Sequence, residues 1–324
     1  MEYKDLEFPK GTKFLVTGSA GFIGSNLVET ILSLGYEVRG LDNLSTGYMK
    51  NMDEFQNNIR FEFIKGDIRD VNVCNQACRG IDYVLHQAAL GSVPRSMREP
   101  LLYCENNIRG TSNMMEAARK NNVKRFIYAS SSSVYGDSVN LPKKEGQEGQ
   151  VISPYALSKK VNEEYGKIYT NVYGLPCIGL RYFNVFGPKQ DAKGSYAAVI
   201  PMFIKQLING EKSTINGDGS FSRDFTFIDN VIQANIISCL AGVEATGKVY
   251  NIAYGERRTI LEIYNSIASE IKSGSNLLFG INREGDVPHS FADITNARNH
   301  LNYNPQYDFE KGIKISINWY RNNL

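Results

Sequence analysis

The chain has no apolar run that approaches the roughly 20 residues needed to span a bilayer. Its opening stretch, Met1 to Gly11, is polar and charged and lacks the apolar core of a signal segment. A cytoplasmic location with no membrane partner is therefore expected. Charge of one sign is also lacking: 36 Lys and Arg face 34 Asp and Glu, a net charge of +2, with the basic residues scattered. Without a basic stripe there is no footprint for nucleic acid, and any anionic ligand must be held locally. Cysteine is sparse, with five at scattered positions (Cys74, Cys78, Cys104, Cys177, Cys239), an odd number that suits reduced thiols better than a disulfide framework. Only His86 lies near the Cys74 and Cys78 pair in sequence, His289 and His300 being far away, so no metal set is expected and that pair reads as buried thiols on one helix face. Gly and Pro are not in excess, and 42% hydrophobic with 22% charged residues excludes a disordered or fibrous chain. At 324 residues, one large α/β unit or two joined units fit the length.

What is present is an alternation of short apolar runs with amphipathic stretches of helical length. The strand candidates are 13–17, 37–41, 61–65, 83–86, 125–129 and 177–181, rich in aromatic and β-branched residues. Helical spacing appears over 23–34, 100–121 and 158–172, the last with Glu163, Glu164 and Lys167 on positions expected to be wet. Strand and helix in turn predict successive βαβ units, and hence a doubly wound parallel sheet of the Rossmann type. After Phe183 the alternation breaks. A helix near 199–209, short strands near Phe225 and Val249, and helices from Thr259 and Phe309 suggest a smaller mixed α/β unit. Domains at 1–183 and 184–324 follow, with some crossing back of the chain and, since no linker separates them, a shared interface.

The first strand runs into Thr17-Gly18-Ser19-Ala20-Gly21-Phe22-Ile23-Gly24 at the start of a helix. Glycines at this spacing let backbone amides and a helix N-terminus approach a pyrophosphate. About twenty residues on, Asp42 closes the second strand, where a carboxylate accepts from the hydroxyls of an adenosine ribose; NAD is therefore favoured over NADP, although Arg39 keeps the phosphorylated form open. Asp67 after the third strand and Gln87, Ala88 and Ala89 after the fourth lie at strand C-termini, where open α/β sheets bind ligands.

Tyr155-Ala156-Leu157-Ser158-Lys159 puts a phenol and an ammonium on one helix face. The cation favours the phenolate, which suits tyrosine to act as a general base on an alcohol. The fifth strand ends in Ser130-Ser131-Ser132-Ser133, hydroxyls at the same edge of the sheet, and position alone does not say which one acts.

Together these residues resemble the extended short-chain dehydrogenase/reductase family, over Lys13 to at least Leu301. The stretches Asp42-Asn43-Leu44-Ser45, Ser133-Val134-Tyr135-Gly136-Asp137 and Arg181 to Pro188 look like its nucleotide-sugar subgroup. Gly219 to Phe225 and Arg283 to Pro288 are similar to the sugar-nucleotide lid of UDP-sugar 4-epimerases. The resemblance implies a bound NAD, a homodimer with paired helices near 100–121 and 158–172, and a UDP-hexose substrate. It implies cofactor contacts from Ser45, Thr46, Gly47, Ile68, Asn106 and Tyr182 beyond those already named, with Tyr155 and Lys159 also touching the cofactor. For catalysis it implies Tyr155, Lys159 and, by alignment on Val134-Tyr135-Gly136, Ser131, with Ser132 and Ser133 adjacent. Asn184 would touch the substrate pyrophosphate, and Ser92, Val199 and Asn216 would join the substrate site. Arg223 and Arg283 would fork onto the phosphates, a task that suits guanidinium, and Asp286 would accept from the uridine ribose.

Related 4,6-dehydratases carry acids where this chain has serines, so epimerisation is preferred over elimination. In epimerases restricted to plain hexoses the position of Ser290 looks bulky and aromatic; serine leaves room for a 2-acetamido group, and Leu90 to Ser96 also resembles the acetamido-preferring members. The alternatives are UDP-glucose, a uronic acid read by an extra cation such as Arg95, a net dehydrogenase or reductase, and a non-enzymatic NAD-binding regulator.

Overall fold

Buried parallel strands need side chains that are apolar on both faces, and the apolar runs supply them. The computed structural model describes residues 3–192, 198–274, 277–281 and 288–324. Strands β1 (Lys13–Thr17), β2 (Glu37–Asp42), β3 (Phe61–Lys65), β4 (Tyr83–His86), β5 (Arg125–Ser131) and β6 (Cys177–Tyr182) come from the first half. Later strands β7 (Val185–Phe186), β8 (Ser213–Asn216), β9 (Ser222–Asp224), β10 (Thr226–Phe227), β12 (Arg257–Thr259) and β13 (Leu277–Gly280) form small pairs. Between them β11 (Lys248–Ile252) returns to the main sheet and pairs in parallel with β6, Tyr250 opposite Leu180. The sheet order is β11-β6-β5-β4-β1-β2-β3, with its topological switch between β1 and β4.

Helices α1 (Phe22–Ser33), α2 (Val71–Cys78), α3 (Val93–Arg98), α4 (Pro100–Tyr103), α5 (Gly110–Lys120) and α6 (Pro154–Asn171) belong to the first half. Helices α7 (Val199–Ile208), α8 (Ile228–Leu240), α9 (Ile260–Ile271), α10 (Thr295–Leu301) and α11 (Phe309–Asn323) follow. The strand alternation separates two cores. Phe14 and Val16 of β1 join Leu27, Val28 and Ile31 of α1 with Val231, Ile232 and Ile236 of α8, whereas Leu15 joins Cys74 and Cys78 of α2 and Met114 and Met115 of α5. The sheet is thus covered on both faces, as the alternation predicts.

One sequence expectation holds with its cause now visible, and one changes. Helix α6 begins at Pro154, so Tyr155 and Lys159 open one helix as expected, although apolar spacing marks it only from Ser158; Ser153 caps it, its hydroxyl accepting from the Ala156 amide at 3.1 Å, and Pro154 suits the first turn. Glu163, expected on a wet position, is buried; its carboxylate receives Arg181 Nε and Nη2, both at 2.8 Å, and the Ser130 hydroxyl at 2.6 Å. A buried charge persists when paired and hydrogen-bonded in this way. The chain also crosses back across residue 183, since β11 and α8, both from the second half, complete the first half's sheet and core.

Candidate active site

The loop after β1 is shaped by contacts that exclude side chains. Gly18 has φ +70°, and a Cβ there would meet the Ala88 amide at 2.9 Å; one on Gly24 would fall 2.0 Å from the Gly18 carbonyl oxygen. Helix α1 can therefore start directly against the loop. No side chain caps its N-terminus at Gly21, so its first amides are left for a ligand. At the end of the neighbouring β2, Asp42 is buried, accepts from the amides of Ala20 at 3.0 Å and Leu44 at 2.7 Å, and has lone pairs left for a ribose. Burial pushes its carboxyl above the usual range against those two bonds. Arg39 is turned away, holding Glu62 at 2.7 Å and the carbonyls of Ala77 and Arg79, so it does not offer a 2'-phosphate partner. These residues fit a dinucleotide without that phosphate.

One cleft of about 1040 Å³ runs from this loop along the C-terminal edge of the sheet. It is lined by Gly18, Gly21, Phe22, Ile23, Gly24, Asp42, Asn43, Ser45, Thr46, Ile68, Gln87, Ala88, Ala89 and Asn106 at one end. Ser131, Ser132, Ser133, Tyr155, Lys159, Tyr182, Asn184, Arg223 and Ser290 line the rest.

Within it α6 places Tyr155 and Lys159 one turn apart, the Lys159 ammonium 5.9 Å from the centre of the phenol ring. Burial pushes the Tyr155 phenol up, while its hydrogen bond with Ser131 pulls it down. Burial also lowers Lys159 to about 8, opposed by the Glu163 carboxylate one turn further along. Ser131 itself caps the short turn that follows β5, accepting from the Ser133 amide at 3.2 Å. Ser133 leaves its own buried hydroxyl without a partner among the described residues.

Behind Gln87 and Tyr182 stands Asn235, which sequence reasoning passed over. It donates to the Tyr182 hydroxyl at 2.9 Å and accepts from Gln87 at 3.0 Å, while Tyr182 donates to Gln87 at 3.1 Å, a closed triangle. No spacing rule could reveal this, because Gln87 follows β4 while Tyr182 and Asn235 come from β6 and α8. Asn184 sits at φ +35°, in the left-handed region that Asn tolerates, and donates to the Asp224 carbonyl at 3.0 Å. Arg223 donates to the carbonyls of Ser222 and Pro288 at 3.0 and 2.9 Å.

Several expected residues lie elsewhere. Ser92 does not line the cleft; its hydroxyl accepts from the Arg95 amide at 3.2 Å as the cap of α3. Asp67 is held by the Arg69 guanidinium at 3.0 and 2.7 Å, by the Arg69 amide at 2.8 Å and by Asn43 at 2.9 Å. Gly47 packs on Ala20, where a Cβ would come within 2.8 Å. Val199 opens α7 and Asn216 ends β8, both half-buried and neither among the lining residues. Arg283 and Asp286 lie outside the described residues. Arg95 pairs with Glu99 at 3.1 Å and does not line the cleft.

The pattern of the NAD dependent epimerase/dehydratase family matches residues 14–253. A UDP-N-acetylglucosamine 4-epimerase from Methanobrevibacter ruminantium M1, solved with UDP-N-acetylmuramic acid, is 39% identical with a TM-score of 0.92, covering 97% of this chain and 100% of that one. The UDP-glucose 4-epimerase of Mycolicibacterium smegmatis is 36% identical over 310 residues, 95% of this chain and 98% of its own. The UDP-glucuronic acid 4-epimerase of Bacillus cereus, solved with UDP-glucuronic acid and NAD, is 31% identical with a TM-score of 0.88, covering 96% and 99%. The chain therefore belongs to the NAD dependent epimerase/dehydratase family. It is an NAD-dependent member of the extended short-chain dehydrogenase/reductases.

Proposed function

We propose that this chain is a UDP-sugar 4-epimerase whose preferred substrates carry a 2-acetamido group, interconverting UDP-GlcNAc and UDP-GalNAc. The observation that carries the reading is the meeting of Tyr155, Lys159 and Ser131 midway along a single cleft, with the glycine loop at one end and Arg223 and Ser290 at the other.

A nicotinamide held in this cleft supplies a reversible hydride acceptor. Tyr155 takes the proton from the 4-hydroxyl, Lys159 favours the phenolate one turn away, and Ser131 hydrogen-bonds the same oxygen. The 4-keto sugar that results stays anchored by its UDP through Arg223, Arg283, Asp286 and Asn184. It turns its other face to the site, and Tyr155 returns the proton to its oxygen as carbon 4 takes back a hydride on that face. Elimination is disfavoured because the serines after β5 include no acid and the nearby Glu163 is committed to Arg181 and Ser130. Gln87, Asn43 and Asp42 serve the cofactor half in this reading, so residues 1–183 supply mainly cofactor binding and 184–324 mainly sugar-nucleotide binding.

Support for the acetamido group comes from Ser290, a small, half-buried residue fixed by its amide donating to Ser222 O at 2.9 Å, and from the likeness to the Methanobrevibacter enzyme. A second copy of the chain is the proposed partner. Leu157, Tyr165 and Ile168 of α6, with Val172 at its C-terminal cap, form an exposed stripe near the 80%-exposed Leu101 of α4 that a homodimer would cover. The test is to incubate the purified protein, without added cofactor, with UDP-GlcNAc and separately with UDP-glucose, and follow the 4-epimers by NMR. Conversion of UDP-GlcNAc at least as fast as UDP-glucose is expected; conversion of UDP-glucose alone removes the acetamido assignment.

A further inference from the structure

The sugar end of the cleft contains a cation that this mechanism does not use. Lys143 lines the cleft together with Gly136, Ile152 and Ser290, yet it is 5% exposed. Its backbone is stitched to the loop that carries Ser290: the Lys143 amide donates to Phe291 O at 2.7 Å, and the Asp293 amide donates to Lys143 O at 2.9 Å. Asn251 adds a third bond, donating to Lys143 O at 2.9 Å. The residue is therefore fixed in place relative to Ser290.

The side chain is under-partnered by comparison. Its ammonium donates to the Ser138 carbonyl, and no carboxylate among the described residues pairs with it. The neighbouring Lys144 behaves as an ordinary lysine, half-exposed and 3.4 Å from Asp293. An ammonium has three protons to donate, and burying it with one neutral acceptor is unfavourable unless something else enters the site to accept the others. Burial alone pushes Lys143 below its ordinary value. Arg95, the cation that the sequence suggested for this end, is paired with Glu99 away from the cleft.

We propose that Lys143 is a specificity-determining residue whose ammonium donates to the carbonyl oxygen of the sugar's 2-acetamido group beside Ser290. The inference rests on the acetamido reading above. Serine at 290 makes room for the group, and Lys143 recognises it: an amide oxygen projects beyond the ring and is a strong neutral acceptor, whereas the 2-hydroxyl of UDP-glucose is shorter and leaves the ammonium with Ser138 alone.

The test uses full-length Lys143→Met and Lys143→Arg proteins, with kcat/KM measured for UDP-GlcNAc, UDP-glucose and UDP-glucuronate. In Lys143→Met the ratio of kcat/KM for UDP-GlcNAc over UDP-glucose should fall roughly tenfold or more, carried mainly by KM, and Lys143→Arg should restore part of it. The rise in Tm on adding UDP-GlcNAc should shrink in Lys143→Met, while the Tm without ligand is no lower, since a buried cation has been removed. An unchanged ratio, equal losses on both sugars, or a loss confined to UDP-glucuronate overturns the assignment. Failure of the acetamido reading itself appears separately, as wild-type protein that does not turn over UDP-GlcNAc, and it overturns this inference as well.

Discussion

The Lys159 ammonium donates to the Ala129 carbonyl at 2.7 Å, two residues before Ser131 on the same strand, so β5 both anchors the lysine and presents the serine to the phenol. Because burial holds Lys159 near 8, its charge is lost as pH rises through that value, well below the ordinary lysine range. The expected outcome is a decline in kcat/KM above about pH 8. In Lys159→Arg, whose guanidinium stays charged, the decline should move to higher pH; a profile unchanged by that substitution would exclude Lys159 as the titrating group.

Removing the Ser131 hydroxyl deletes the hydrogen bond that pulls Tyr155 down. In Ser131→Ala the acid limb of the pH profile should therefore move to higher pH, and kcat should fall by roughly 10- to 100-fold. Tyr155→Phe should lose about 10²- to 10⁴-fold in kcat and retain bound NAD, which acid extraction and chromatography of the purified protein would reveal.

His86 is buried between two hydroxyls, its Nδ1 2.7 Å from Thr17 Oγ1 and its Nε2 3.0 Å from Thr111 Oγ1. Burial, with a smaller push from Lys159, lowers it to about 3, so the folded protein holds it neutral. The unfolded chain takes up its proton near pH 6.5 while the native state does so only near 3, and stability is therefore lost as pH falls between those values. Between pH 6.5 and 5 this one residue should account for about 2 kcal/mol. Urea unfolding at the two pH values, compared with His86→Gln, measures it; an equal slope in the variant would remove His86 as the source.

Cofactor choice divides between two residues of β2. Asp42→Ala should empty the protein of NAD and loosen the loop tied to it through Ala20 and Leu44, whereas Arg39→Ala should leave the NAD content as it was, because Arg39 is occupied by Glu62, Ala77 and Arg79. Nucleotide content per chain is the readout. A gain of NADP in neither variant is also expected, since neither supplies a cation for the 2'-phosphate.

Refilling the pocket should narrow the substrate range. Ser290→Tyr is expected to lower kcat/KM for UDP-GlcNAc by at least about tenfold relative to UDP-glucose. If both sugars were affected alike, Ser290 would not be the wall against the acetamido group.

The sheet was legible because buried parallel strands are written as short apolar runs: Lys13–Thr17, Phe61–Lys65 and Tyr83–His86 are the same in sequence and structure. Residues whose role depends on a distant partner were not legible. Glu163 looks wet until Arg181 of β6 is placed beside it, and Lys143 looks like a surface lysine until the strand-like pairing with Ala292 draws it inward. Helix α8 has no apolar stripe because nearly all of it is buried, so periodicity could not mark it. The start of α6 was legible from Tyr155 and Lys159 on one helix face, and Ser153-Pro154 marks it independently as a cap followed by a first-turn proline.

The return of β11 to the sheet bears on how the molecule comes into being. A nascent chain that has emerged only as far as Phe183 holds every residue of the Tyr155, Lys159 and Ser131 cluster, yet its sixth strand has one unsatisfied side, and the face that α8 covers stands open to water. Completion of the sheet edge and of the core beneath α8 therefore depends on residues that follow Phe183, which couples burial of the first half to the emergence of α8 and β11.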